Sequence, residues 1–285
     1  MNYLKLMRPK HYIKNFLIFL PLLFSGKLLD LSNILITLGG VICFSLMASS
    51  IYIINDIKDK DKDRNHKTKC NRPIASGKIS VKNAIIFMFV LLILVTVLVI
   101  VMNLSILSIG FLALYFILNS AYSLGLKNIP LIDIIILVSE YVIRVLFGAS
   151  ILSITVSNWL YLTVIAISFY LGLGKRRNEI MKTGSNTRKV LKYYTKDFLD
   201  KNMYMFLSMT IIFYSLWTTD IDIVSKSNNL LIWTVPLVIV ICMRYSMDIE
   251  GESDGDPVEV IMHDKVILSL VFLYALSLIT ILYIL

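Results

Sequence analysis

Residues 50–63 read Ser50-Ile51-Tyr52-Ile53-Ile54-Asn55-Asp56-Ile57-Lys58-Asp59-Lys60-Asp61-Lys62-Asp63, an apolar run that passes directly into alternating acid and base. Asp56, Asp59 and Asp63 are spaced i, i+3, i+7. At about 100° per residue they fall within roughly 60° of one another on a helix, and Asp61 points elsewhere. Three carboxylates so placed repel unless a cation joins them. Oxygen-only ligands at the mouth of a membrane cavity suit Mg²⁺, which commonly bridges carboxylates to substrate phosphates. Asn55 adds an amide oxygen at the same end. The competing reading is a solvated juxtamembrane loop, since charge runs are usually exposed. The continuity with the apolar run favours a helix that carries the carboxylates into the protein.

The rest of the chain has the same apolar character. Of 285 residues, 57% are hydrophobic and only 16% charged, with a mean hydropathy of +0.77. A soluble domain carries about 45–50% apolar and about 25% charged residues. The excess apolar surface must face lipid, so a soluble enzyme, a disordered chain and a nucleic-acid-binding module are excluded. The net charge of +9 points to a membrane face or an anionic substrate. Cys43, Cys70 and Cys242 are too few and too scattered for a disulfide framework. The basic start and the apolar run from Ile13 to Phe24 lack a small-residue cleavage site, so they read as a first membrane helix rather than a signal peptide.

The hydropathy pattern predicts an all-α polytopic membrane protein with nine transmembrane helices, over 13–30, 33–54, 83–102, 104–120, 131–151, 158–174, 203–219, 229–246 and 265–285. Pro21 predicts a kink in the first. With the N-terminus in the cytoplasm, all of the 28 lysines and arginines except Lys27, Arg144 and Lys226 fall on the cytoplasmic side. No linker or low-complexity tract divides the chain, so 1–285 reads as one catalytic domain.

Downstream of the aspartates, Lys67-Thr68-Lys69-Cys70-Asn71-Arg72-Pro73-Ile74-Ala75-Ser76-Gly77 supplies cations and a Pro/Gly turn. Acid for a metal beside base for phosphate is the arrangement of a diphosphate site. Asn55-Asp-x-x-Asp59-x-x-x-Asp63 followed by Arg72-Pro73-x-x-Ser76-Gly77 resembles the first Asp-rich motif of the UbiA superfamily of intramembrane prenyltransferases. The resemblance implies a UbiA-like bundle, a Mg²⁺-bound diphosphate at this motif and a second Asp-rich motif after helix six.

That second motif is missing. The segment reads Leu173-Gly174-Lys175-Arg176-Arg177-Asn178-Glu179, a basic cluster of the kind that pairs with phosphate oxygens, unless it serves topology alone. The chain resembles the decaprenyl-phosphate phosphoribosyltransferase-like branch in several further stretches. These are Met7-Arg8-Pro9-Lys10-His11-Tyr12-Ile13-Lys14-Asn15, Lys175-Arg176-x-x-Glu179, Arg188-Lys189-Val190-Leu191-x-x-Tyr194, and Arg244-Tyr245 before Gly255-Asp256-Pro257-x-Glu259. The branch transfers 5-phosphoribose from phosphoribosyl pyrophosphate to a polyprenyl phosphate, and in relatives the product feeds envelope polymers.

On that resemblance Asn55, Asp56, Asp59 and Asp63 hold Mg²⁺ on the donor diphosphate, and Lys10, Lys14, Lys67 and Arg72 neutralise its phosphates. Lys175 and Arg176 meet the 5-phosphate or the lipid phosphate, with Glu179 orienting them or a ribose hydroxyl. Asn15, Tyr122, Lys127, Asp133 and Arg144 complete the expected substrate-binding set. Glu140 and Arg144, at i and i+4, are placed to pair within the membrane. The expected partners are the two substrates and the lipid bilayer of a bacterial or archaeal cell membrane, with the active site on the cytoplasmic face. Nucleic acid is not expected, and a homo-oligomer is compatible. The rivals are a polyprenyl-diphosphate transferase acting on an aromatic or other lipid acceptor, which wants a second Asp site, and an ion-coupled transporter. The transporter wants ionisable residues at mid-membrane, whereas here most charge lies at one face.

Overall fold

The fold is taken from a computed structural model that describes residues 2–66, 68–183, 188–251 and 257–285. Among the described residues the regular structure is entirely helical. The α-helices are α1 (Asn2–Met7), α2 (Leu20–Phe24), α3 (Leu31–Lys58), α4 (Lys60–Arg64), α5 (Val81–Val101), α6 (Ile106–Leu124), α7 (Ile132–Ile151), α8 (Asn158–Thr183), α9 (Lys196–Thr218), α10 (Ile221–Ser227), α11 (Val235–Glu250), α12 (Pro257–His263) and α13 (Lys265–Tyr283). Six helical stretches have the length and apolar composition to cross a membrane: α3, α5, α6, α7, Leu230–Glu250 and α13. α8 and α9 fall outside that set because polar ends, such as Lys175 to Glu179 and Asp197 to Lys201, dilute their apolar centres.

The amino-terminal segment departs from the single kinked helix expected over 13–30. Pro9–Phe19 forms a 3-10 helix, and Pro21 sits in the first turn of the separate α2. Proline lacks the N–H that a helix interior needs and is tolerated where the N–H would be unpaired anyway. Pro21 therefore starts a helix here instead of bending one. Gly26, at φ 77, ends the segment in a backbone conformation that side-chain-bearing residues rarely adopt. A 3-10 helix rises about 2 Å per residue, so eleven residues reach further than the same length of α-helix.

The turn between α5 and α6 also becomes definite. Asn103 takes φ 48, and the Leu104 N–H returns to the Val99 carbonyl at 3.1 Å. Ser105 then caps α6 by accepting from the Ser108 N–H at 3.2 Å.

The chain divides into two compact units, Met1–Lys127 with Ile143–Ile154, and Asn128–Val142 with Thr155–Leu285. In the first, α3 is the central element, with α5, α6, α1 and the Pro9–Phe19 helix packed on it. It is capped by Asp30, which accepts from the Ser32 N–H at 2.9 Å. Its 28 residues span about 42 Å, enough to cross the hydrocarbon and emerge beyond it. Phe44, Met47, Ala48, Ile51, Leu112, Tyr115 and Phe147 form one core cluster. Leu6, Ile53, Ile74, Ile79, Ala84 and Leu91 form another, nearer the charged end of α3.

In the second unit α8 packs along α9, and α11 packs on α8, α9 and α13. Its core includes Ile134, Tyr170, Leu173, Leu199, Met203, Tyr245 and Ile249. Val190 and Leu191, from a short 3-10 helix over Lys189–Tyr193, are fully buried in the same cluster. Each such aliphatic side chain contributes about 1.5–3 kcal/mol on burial, so this basic stretch is fastened to the core.

Candidate functional site

The three spaced aspartates stay on one helical path. α3 ends at Lys58, yet the Asp59 N–H bonds to the Asn55 carbonyl at 2.9 Å and the Asp63 N–H to the Asp59 carbonyl at 2.8 Å. Those i to i−4 bonds carry the face on into α4. The Asp56 and Asp63 side chains are 2% and 5% exposed, whereas Asp61, off that face, is 91% exposed.

Each carboxylate has a cation. Arg72 Nη1 donates to Asp63 at 2.6 Å and to Asp56 at 3.1 Å. Arg8 also donates to Asp56 and lies over the Tyr52 ring. Lys127 Nζ donates to both oxygens of Asp59, at 2.9 and 3.0 Å. Asn55 Oδ1 accepts from the Ser123 hydroxyl at 3.4 Å.

The local backbone explains how the cations are held. Arg8 is left-handed at φ 55 immediately before Pro9, an uncommon conformation for a side-chain-bearing residue. The Ser76 N–H bonds to the Arg72 carbonyl, Gly77 takes φ 76, and the Ile79 N–H returns to the Pro73 carbonyl at 3.0 Å. This turn buries Ile74 and Ala75 and fixes Arg72 against the aspartates.

Whether these residues suit Mg²⁺ turns on their donor chemistry. Three carboxylates and a neutral amide form an all-oxygen set, which a hard divalent ion prefers. Among the described residues no three acidic, His or Cys side chains converge to hold a metal. Their charge is instead balanced by Arg8, Arg72 and Lys127. The donor set fits the ion, with Arg72 occupying the place between Asp56 and Asp63.

A second cluster lies in the other unit. Asp133, in the first turn of α7, accepts from Arg176 Nε at 2.6 Å, and both side chains are wholly buried. Tyr194 donates its hydroxyl to Asp133 at 2.5 Å and accepts from the Leu131 N–H at 2.6 Å. Burial, reinforced by the bond to Asp133, raises the Tyr194 phenol above its ordinary value, so it stays a donor. Arg176 Nη1 reaches Glu179 at 2.7 Å, and Arg188 reaches the other Glu179 oxygen at 3.4 Å. Burial raises the Glu179 carboxyl, but Arg176, Arg188 and Lys175 outweigh it and hold it below the ordinary carboxylate value. Lys175 is half-buried beside them. The expected set of Asp133, Lys175, Arg176 and Glu179 thus falls together. Arg176 is wholly enclosed with Asp133, whereas Arg188 and Lys175 are partly exposed.

Arg144 and Asn15 form a third group. Arg144 is 1% exposed, donates Nε to Asn15 Oδ1 at 2.8 Å and Nη2 to the Tyr115 hydroxyl at 3.1 Å, and lies over the Phe44 and Tyr115 rings. Asn15 Nδ2 donates to Ser45 at 2.8 Å. This buried network ties the Pro9–Phe19 helix to α3, α6 and α7. Lys10 is exposed, Lys14 and Tyr122 are half-buried, and Lys67, Gly255 and Asp256 lie outside the described residues.

Sequence reasoning omitted Arg8, Ser123, Arg188 and Tyr194 from the site. Arg8, Arg188 and Tyr194 stood inside the quoted motifs, and the signal of the two arginines was a cation beside a proline or beside a Val-Leu pair. Nothing in the sequence marks Ser123.

The chain belongs to the UbiA prenyltransferase family, whose model matches residues 16–174. It is therefore an integral membrane transferase. It is 32% identical to the decaprenyl-phosphate phosphoribosyltransferase of Mycolicibacterium smegmatis, across 93% of this chain and 87% of that one. The Mycobacterium tuberculosis protein of the same name is 30% identical, across 92% and 88%. Among solved structures, a UbiA homolog from Archaeoglobus fulgidus bound to GPP and Mg²⁺ superposes with a TM-score of 0.71 at 20% identity, covering 98% of this chain and 100% of that one. At that identity the likeness speaks for the fold.

Proposed function

We propose that this protein transfers 5-phosphoribose from phosphoribosyl pyrophosphate to a polyprenyl phosphate on the cytoplasmic face of a cell membrane. The observation that carries the reading is the charge of the second cluster. Arg176, Arg188 and Lys175 gather around Asp133 and Glu179 at the place where a prenyl-diphosphate transferase is expected to carry a second aspartate motif. Cations there suit a donor with a phosphate at each end and an acceptor that is itself a phosphate. The names of the mycobacterial relatives agree.

The chemistry needs little from the protein beyond placement and charge. A non-bridging oxygen of the lipid phosphate attacks the anomeric carbon, and the bond from that carbon to the diphosphate oxygen breaks. Pyrophosphate leaves with the electron pair, and the carbon is inverted. The phosphate monoester is already an ionised nucleophile, so no general base is required. Arg8, Arg72 and Lys127 place positive charge beside the leaving group. Asp56, Asp59, Asp63 and Asn55 would hold Mg²⁺. When bound, the ion neutralises the diphosphate and stabilises its departure. Arg188, Lys175 and Glu179 bind the second phosphate and orient the ribose.

The six long apolar helices, with the amino-terminal segment, α8 and α9, make nine spans in this reading. The N-terminus and the charged ends then lie in the cytoplasm.

The test uses the full chain in detergent with Mg²⁺, radiolabelled phosphoribosyl pyrophosphate and a polyprenyl phosphate, followed by counting of the lipid extract. Label that requires the lipid phosphate and vanishes in Asp56→Ala is the expected result. Transfer of a prenyl group from its diphosphate to a small acceptor, with no labelled lipid, would replace this reading by the general prenyltransferase.

A further inference from the structure

α8 presents two adjacent arginines to different surroundings. Arg176 belongs to the Asp133 cluster. Arg177, about 100° further round the helix, lines a cavity of about 640 Å³ among the ends of α8, α9 and α11. That volume lies in the range of small-molecule sites, about 300–1,000 Å³. Its walls are Arg177, Met181, Lys182, Lys196, Ile249 and Glu250, with Asn178 and Gly251 completing the lining. None of these belongs to the groups assigned to donor or acceptor above.

The cavity is amphipathic. Arg177 is 6% exposed; its Nε donates to Asp200 at 2.5 Å and its Nη1 to the Ile249 carbonyl at 3.3 Å. No bond to its Nη2 is formed among the described residues. Lys182 and Lys196 stand exposed at the rim. The carboxylates nearby are already engaged, Asp200 by Arg177 and by Lys196 at 4.0 Å, and Glu250 by the Tyr204 hydroxyl at 2.6 Å. Among the described lining residues Arg177, Lys182 and Lys196 stand with a single carboxylate, Glu250, while Met181 and Ile249 supply apolar wall. Basic pockets between membrane helices bind the head groups of anionic lipids, and each Lys or Arg near such a surface adds favourable electrostatic attraction.

We propose that this cavity is a second lipid site, which holds a lipid-borne phosphate on the face of α8 turned away from the Asp133 cluster. The apolar wall selects a phosphate carried on a lipid over the free ion. The lipid is either an anionic phospholipid of the membrane or a waiting polyprenyl phosphate. The polyprenyl phosphate arm rests on the function proposed above; the phospholipid arm does not.

The experiment is a thermal-stability titration of the full chain in neutral detergent. The probes are dioleoyl phosphatidylglycerol, dioleoyl phosphatidylcholine, a polyprenyl phosphate and inorganic phosphate, each added to wild type and to K182A/K196A. Phosphatidylglycerol should stabilise wild type and phosphatidylcholine should not. The double variant should need about thirtyfold more phosphatidylglycerol for the same effect. K182R/K196R keeps the charge and should behave as wild type, which separates lost charge from lost folding.

A rightward shift of the polyprenyl phosphate titration in K182A/K196A would identify the substrate lipid as an occupant. A shift confined to phosphatidylglycerol would identify membrane phospholipid. Equal titrations of wild type and K182A/K196A by both lipids would overturn the site. Stabilisation by inorganic phosphate as strong as that by either lipid would overturn its lipid character.

Discussion

Arg176 donates its Nε to Asp133 at 2.6 Å, with neither side chain reaching solvent. An arginine so enclosed positions its neighbours rather than meeting a phosphate directly. Removing one partner of a buried pair leaves the other charge uncompensated, at about 3–5 kcal/mol. Arg176→Ala and Asp133→Ala should each lower the thermal midpoint by that equivalent, and the double variant should lose less than the two losses added. Thermal unfolding in detergent measures this. Single variants as stable as wild type, but with weakened substrate binding, would return Arg176 to direct contact with the phosphate.

Arg188 takes the opposite part. It is 33% exposed and meets Glu179 only at 3.4 Å, at the rim of the same cluster. A charge-assisted hydrogen bond contributes about 1.5–3 kcal/mol. Arg188→Ala should therefore raise KM for one phosphorylated substrate by roughly tenfold to a hundredfold with little change in midpoint. Steady-state kinetics with each substrate varied in turn shows which. An unchanged KM for both would exclude Arg188 from the binding surface.

The parts legible in the sequence are those that rest on pattern. The aspartate spacing placed Asp56 and Asp63 on a buried face, and the apolar runs marked α3, α5, α6, α7 and α13. Partnerships across the sequence were not legible. Lys127 meets Asp59 over 68 residues, and Arg144 meets Asn15 over 129. Such pairs are set by packing, which no local spacing encodes. The single kinked helix expected over 13–30 gives way for a different reason. Hydropathy reports that residues 13–24 are apolar, but not that Pro9 and Pro21 each stand in the first turn of a separate helix, or that Asn15 is held by Ser45 and Arg144.

Glu179 gives the second cluster a sign of pH dependence. It lies on α8 beyond the apolar stretch, and its neighbouring cations hold its carboxyl below the ordinary value, 4.5. A carboxylate lowered on folding contributes stability that is complete above its unfolded value and is lost as pH falls through its folded one. Wild type should therefore be more stable than Glu179→Gln at neutral pH, with the difference constant down to about pH 5 and shrinking below it. Thermal midpoints across an acid series test this. A gap that closes above pH 6 would assign the titration to another group.

Gly148 bears on the amino-terminal segment. A Cβ there would overlap the carbonyl oxygen of Ile18, and that obstacle is backbone. Gly148→Ala must push the Pro9–Phe19 helix away from α7, which strains the Asn15–Arg144 bond. Overpacking of this kind costs about 1–3 kcal/mol. The variant should fall in stability by that amount and lose transfer activity as Arg8, on the same segment, leaves Asp56. Full activity in Gly148→Ala would separate the segment from the aspartate site.

Arg72 offers a readout of metal binding that does not depend on turnover. It bonds to both Asp56 and Asp63, and Asp63 has no second cation among the described residues. Arg72→Ala leaves that carboxylate nearly buried and unpaired. Because Arg72 is 24% exposed, solvent softens the loss to about 1–3 kcal/mol. A divalent ion binding the same oxygens would supply the missing charge. Mg²⁺ should then raise the midpoint of Arg72→Ala more than that of wild type, with EDTA reversing the gain in both and Asp63→Ala abolishing the excess. Equal responses to Mg²⁺ in wild type and Arg72→Ala would show that arginine and metal do not compete, and would move the ion away from Asp56 and Asp63.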